Sequence, residues 1–109
     1  MTLERLHAYK ALQRDAKLLE IDIERMEADS SLDIDTLQAK RAELHGKQLE
    51  ARSVDAWLDS LTGVERFVIR MHIIERYPWR IVLHIYADEF GDRPCKSTLQ
   101  RAQKIALAK

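Results

Sequence analysis

The sequence predicts an all-α protein: an N-terminal antiparallel helical hairpin, coiled-coil-like, followed by a three-helix helix-turn-helix domain. Three observations predict it. Helix breakers are scarce, with three Gly, two Pro and no Asn in 109 residues. Apolar residues recur at helical and not at strand spacing through most of the chain. The second half is cut by two clear breaks into three segments, the last of them amphipathic, basic and free of acidic residues.

Composition sets the outer bounds. At 46% hydrophobic and 33% charged residues the chain is too apolar for intrinsic disorder. No apolar run approaches the ~20 residues of a membrane span, and MTLERLHAYK carries no signal-peptide h-region. The single cysteine, Cys95, suits a reducing compartment. A cytoplasmic protein without membrane contact is therefore expected. The formal net charge is zero, but it is unevenly spread: residues 1–53 hold nine Lys/Arg against eleven Asp/Glu, and residues 54–109 hold nine against seven. From Pro94 onward Lys96, Arg101, Lys104 and Lys109 stand without an acid, and a one-sided cationic surface of that kind attracts phosphate whatever the overall charge.

Residues 3–28 read as one long helix. Tyr9, Leu12, Ala16, Leu19, Ile23 and Met26 recur at alternating steps of three and four, the seam of a coiled coil. Leu18 and Ile21 lie off that seam and form a second stripe, which a two-helix hairpin would leave for a partner. Ala28–Asp35 (ADSSLDID) is the turn, rich in side chains that bond local backbone. Asp35 and Gln38 resemble a capping box for a second helix from about Thr36 into the fifties. Ile34, Leu37, Leu44 and Ala51 keep a seven-residue rhythm there, with Arg41 and Gln48 at the intervening seam positions and Gly46 weakening the helix. The hairpin, residues 1–53, is expected to pair two copies through Leu12, Leu19, Ile23, Met26, Leu37 and Leu44. Val54, Trp57, Leu58 and Leu61 then form the stripe that hands over to residues 54–109, with no flexible linker between.

Thr62–Gly63–Val64–Glu65 is a capping box. It opens a helix with Val64, Phe67, Val68, Met71 and Ile74 toward a core and Glu65, Arg66 and Arg70 toward water. Tyr77–Pro78–Trp79 ends that helix and begins the next, with Pro78 at its first position; Trp79, Val82, Leu83, Ile85 and Tyr86 are its apolar face. Gly91 is the expected left-handed cap. After Asp92–Arg93–Pro94 the last helix runs from Cys95 to about Ala108. Cys95, Leu99, Ala102 and Ala106 share one face, while Ser97, Gln100, Arg101 and Lys104 share the other. Ser, Gln, Arg and Lys are the side chains that bond base edges or phosphates, and the second helix of a helix-turn-helix places its N-terminal part in the major groove. Ser97, Gln100, Arg101 and Lys104 are thus the expected groove residues. Lys96 and Thr98 are expected to hold phosphates, with Arg76, Arg80 and Arg93 adding backbone contacts.

Several residues have plainer readings. Trp57 and Trp79 belong to core or junction. His84 and Asp88 stand at i, i+4, but two ligands without a third make no zinc site. Cys95 has no assignable partner base. No nucleophile–base pair, phosphate loop or ligand set is legible, so neither an enzyme nor a cofactor or metal site is expected.

The run from Leu61 through Ala106 resembles the fourth region of bacterial sigma factors and its phage relatives. The resemblance rests on Leu61–Thr62, Glu65, Trp79 opening a helix, Lys96-Ser97-Thr98-Leu99, Arg101 and Ala106–Leu107. With a long hairpin in front, carrying Tyr9–Lys10 and Leu12, the whole chain resembles phage late-gene transcription regulators of the RinA/ArpU type. The segment from Trp79 to Cys95 is several residues longer than the usual helix plus turn; Leu83 stands where a small residue is common and Cys95 where a capping Ser is common. The resemblance implies a dimeric, sequence-specific regulator that binds double-stranded DNA. Two other readings remain open: a helical adaptor docking on RNA polymerase or another protein, and a small terminase-like recognition subunit for DNA packaging.

Overall fold

The first three helices each start on a capping side chain, from Thr2, Asp33 and Thr62. The computed structural model describes residues 1–29 and 33–109, and every element in them is helical. Helix α1 spans Leu3–Glu27, capped by the Thr2 hydroxyl, which accepts from the Arg5 N–H at 3.2 Å. Helix α2 spans Ile34–Asp59. Helix α3, Gly63–Val68, runs on into a π-helical segment, Ile69–Ile74. Helices α4, Trp79–Phe90, and α5, Lys96–Leu107, complete the chain.

α1 and α2 form the antiparallel hairpin. Its register is tied by Arg5 Nη2 donating to Ser53 Oγ at 3.0 Å, Gln48 Nε2 to Glu20 Oε1 at 3.1 Å, Arg41 Nη2 to Glu27 Oε1 at 2.5 Å, and by the Lys40–Asp22 ion pair. Tyr9, its hydroxyl bonded to Asp55, closes the base; burial first, and then that carboxylate, push its pKa up to about 12. The seam runs as its spacing predicts: Tyr9, Ala16 and Ile23 are buried, and Leu12, Leu19 and Met26 half-buried. This occupies residues expected to pair two copies. Ile23 and Leu37 are only 7% and 4% exposed within the single chain, and Leu44 is half-buried too. The aliphatics left outside are Leu3, Leu18, Ile21, Ile34 and Leu49, so Ile34, read as a core position, faces solvent.

The cap of α2 also differs from expectation. Asp33, in extended backbone, accepts from the Asp35 and Thr36 N–H groups at 3.1 and 3.4 Å, and α2 begins at Ile34. Asp35 already lies inside the helix, so it cannot serve as its cap. The Ser30–Ser31 part of the expected turn lies outside the described residues.

α2 continues unbroken through the expected boundary at residues 53 and 54. Val54 and Leu58 from α2 join Leu6 and Tyr9 from α1, Leu61 from the connection after α2, Ile69, Ile73 and Ile74 from the π-helical segment, and Ala106 from α5 in one buried core. A second core gathers Phe67, Val68, Val82, Tyr86 and Leu99, with Trp79, Leu83 and Ile85 against it. One helix thus serves two cores, and the π turn is how it does so. At about 100° per residue an α-helix would put Ile74 roughly 140° from Ile69. Bonding from i to i+5, seen in the Glu75 N–H to Arg70 carbonyl bond of 2.8 Å, widens the turn and swings Ile74 toward the side of Ile69, and both lie in that core. The single core expected for Phe67, Val68 and Ile74 is therefore split.

The capping box at Thr62 is present, with bonds of 3.3 Å from the Glu65 N–H to Thr62 Oγ1 and 3.0 Å from the Thr62 N–H to Glu65 Oε1. Glu65 and Arg66 depart from their expected exposure. Glu65 is 6% exposed. Arg66 folds back so that its guanidinium donates to the Leu58, Asp59 and Leu61 carbonyls at 3.0, 3.3 and 3.3 Å. It thereby ties the start of α3 to the last turn of α2 and the connection after it. Pro78 stands just before α4 as its N-cap, one place earlier than expected. Gly91 ends α4 with φ 76°, the left-handed geometry that favours glycine.

Candidate nucleic-acid interface

The candidate surface is built on α5. Leu99 and Ala106 are fully buried; Leu99 sits in the second core and Ala106 in the first, so the helix is pinned at both ends of one face. Ala102, between them, is half-buried, and its small side chain permits close approach to α3. That anchoring turns the opposite face outward: Ser97, Gln100, Arg101 and Lys104 are all exposed, as are Lys96 and Thr98 on the first turn. Arg80 on α4 and Arg93 in the connection before α5 are exposed as well.

Electrostatics favour an anion on this surface. α5 carries no acidic residue. Lys96, Arg101, Lys104, Arg80 and Arg93 enter none of the ion pairs found among the described residues. Lys109 is different: its Nζ donates to the buried Glu65 Oε1 at 2.8 Å. That pair, ahead of the Thr62 N–H bond, holds the Glu65 carboxyl below its ordinary pKa. One of the four cations counted after Pro94 is therefore spent clamping α5 to the start of α3.

Cys95, expected on the buried face, is exposed and forms the N-cap of α5. Its Sγ lies 3.6 Å from Thr98 Oγ1, and bonds from Thr98 and Ser97 lower the thiol pKa. Five residues, Gly91–Cys95, separate α4 from α5, more than the three or four of a tight helix-turn-helix. Arg93 and Pro94 here border a cleft of about 240 Å³ shared with Leu83, His84 and Asp88. His84 Nε2 and Asp88 Oδ2 lie 3.7 Å apart, both largely exposed.

Trp79 stacks on His72, ring centroids 3.9 Å apart, at the edge of the second core, and Trp57 packs against the first. Both rings are occupied inside the protein. Phe67, Tyr86 and Phe90 form an aromatic cluster with centroid distances of 4.5–5.5 Å that joins α3 to α4. Arg66, the π-helical segment and the Glu65–Lys109 pair were not legible as structural devices, because each depends on a neighbour distant in sequence or on a bulge without a consensus. Comparison with protein-family models, with curated proteins and with solved structures finds no match for this chain.

Proposed function

We propose that the protein is a sequence-specific DNA-binding regulator of transcription, similar in kind to the phage regulators it resembles, and that α5 is its reading helix. The observation that carries this is the outward, acid-free face of α5, with Gln100, Arg101 and Lys104 exposed and Arg101 and Lys104 in no ion pair among the described residues, while Leu99 and Ala106 anchor the helix. A major groove about 12 Å wide admits one helix. In that pose Ser97, Gln100, Arg101 and Lys104 address base edges and neighbouring phosphates. Lys96, Thr98 and the free N–H groups at the start of α5 take phosphate oxygens, supported by Arg80 and Arg93. Two copies pair through the outer face of the hairpin, where Leu18, Ile21, Ile34 and Leu49 remain exposed. Ile23 and Leu37 stay inside each copy.

Selection of bound duplexes from a random pool, at two salt concentrations, tests this. A recovered motif with half-site symmetry, bound more weakly at the higher salt, is the expected result. Failure to retain any duplex at low salt sinks it. The same exposed aliphatics favour a second reading, an adaptor that docks on another protein such as RNA polymerase; under that reading the hairpin forms a tight complex while no duplex is held.

A further inference from the structure

Away from α5, a cleft of about 420 Å³ opens where α1 passes the end of the π-helical segment, lined by His7, Lys10, Arg14, Ile74, Glu75 and Arg76. We propose that this cleft binds a phosphate group, held by Arg76 and Arg14 with Lys10 at its edge.

Three observations carry the proposal. The first is charge: three permanent cations face one carboxylate, Glu75. That carboxylate is already engaged by Lys10 Nζ at 2.6 Å. Among the described residues Arg14 Nε has one acidic neighbour, Asp15, at 3.7 Å, with the guanidinium largely exposed and the carboxylate about half so, a pair of little worth. Arg76 enters no ion pair found among the described residues. Two guanidiniums therefore remain to accept an anion, and guanidinium forks match phosphate oxygens in pairs.

The second is backbone. Arg76 has φ 61° and is the one non-glycine residue with positive φ among those described. That geometry brings the Cβ of an L-residue too close to its own backbone and is disfavoured. Just after a helix end it is normally filled by Gly or Asn, and Gly91 fills it after α4. An arginine at the corresponding place gives up stability that glycine would retain, and what it adds is a cation on the cleft wall. The third is location. The π-helical segment ends at Ile74 on that same wall, and such wide turns recur at functional sites. Its i to i+5 bonding advances the chain so that Glu75 and Arg76 follow directly beside α1.

A phosphate reaching this cleft could be the head of a free phosphorylated compound or part of a nucleic-acid backbone; the recognition chemistry is shared. The site lies between α1 and the end of the π-helical segment, so its occupant would tie the hairpin to the C-terminal helices.

The test uses the full chain and two probes. Inorganic pyrophosphate is titrated at constant ionic strength, against a chloride control, while backbone amide and arginine side-chain NMR signals are followed. Saturable shifts confined to the cleft, and weakened about tenfold or more in Arg76→Gly, are expected, since one charge-assisted contact is worth about 1.5–3 kcal/mol. Arg76→Gly removes the cation while relieving the left-handed strain, so its Tm should not fall; Arg14→Gln gives an independent loss of binding. Absence of saturation, or pyrophosphate shifts unchanged in both variants, overturns the proposal. A non-specific duplex then identifies the source. If Arg76→Gly lowers the slope of log affinity against log salt by about one, the phosphate belongs to the backbone; if duplex binding is unchanged, it belongs to a free ligand. Should no duplex bind at all, the DNA-reading proposal fails while the pyrophosphate result still decides the cleft.

Discussion

Arg101 and Lys109 are both cations on the last stretch of the chain, and their neighbours give them different work. Arg101 is exposed and enters no ion pair among the described residues, whereas Lys109 is held by Glu65 at 2.8 Å. Replacing Arg101 with Ala should weaken specific duplex binding by about 1–3 kcal/mol and relax preference at one base pair; equal loss on every sequence would reassign it to a phosphate. Glu65 carries a pH prediction. Its folded pKa is depressed below the ordinary 4.5, first by the Lys109 ammonium and then by the Thr62 N–H. A depressed carboxylate contributes stability that is present above 4.5 and lost as pH falls through its folded value. Glu65→Gln should therefore melt below the natural protein at neutral pH, and the gap should close as the solution is acidified below 4.5. A gap that stays constant with pH would show that the Lys109 pairing contributes nothing. The exposure of Gln100, Arg101 and Lys104 was legible from their position opposite Leu99 and Ala106. The burial of Glu65 was not, because its partner stands 44 residues away.

Among the elements, α2 is held by its ends and its neighbours more than by its own sequence. Asp33 caps its start, and Arg66 bonds carbonyls at its end from within the next helix. Gly46 lies in its interior, exposed, and a Cβ built there meets nothing within 4 Å. Gly46→Ala should accordingly stabilise the protein by about 0.5–1 kcal/mol, read from urea unfolding. A loss instead would mean that a partner approaches α2 at this point. The helix leading from Thr62 shows the limit of periodicity. Its capping box, its apolar face and its stop before Pro78 could all be read directly. The change to π geometry at Ile69 could not, since Ile69, Ile73 and Ile74 need one face only because α1 and α2 present a core there.

Across the whole molecule, 59 × 25 × 18 Å in extent, the radius of gyration is 18.3 Å, against about 13 Å for a compact chain of this length. The hairpin projects, and only its base takes part in the buried core, through Leu6, Tyr9, Val54 and Leu58. Stability should therefore be graded along it. Native-state hydrogen exchange is expected to protect amides at Leu6–Tyr9 and Val54–Leu58 by nearly the global unfolding free energy. Amides near Ile23 and Leu37 should exchange through cheaper local opening. Uniform protection along α1 in a dilute monomer would contradict this; protection of the far end that rises with concentration would report pairing of copies.

The residue order alone determined the helical class, the hairpin, the starts of the helices to within two residues and the polar face of α5. These follow from spacing, caps and breakers, which act within one or two turns of the chain. Tertiary structure decided that the hairpin and the C-terminal helices share a core across the position expected to divide them. It also decided that Ile23 and Leu37 are consumed within one chain, that Arg66 and Lys109 serve as clamps, and that Arg76 stands beside Arg14 and Lys10. Each of these joins residues remote in sequence, and burial or pairing at such range is settled only when the faces of separate helices meet.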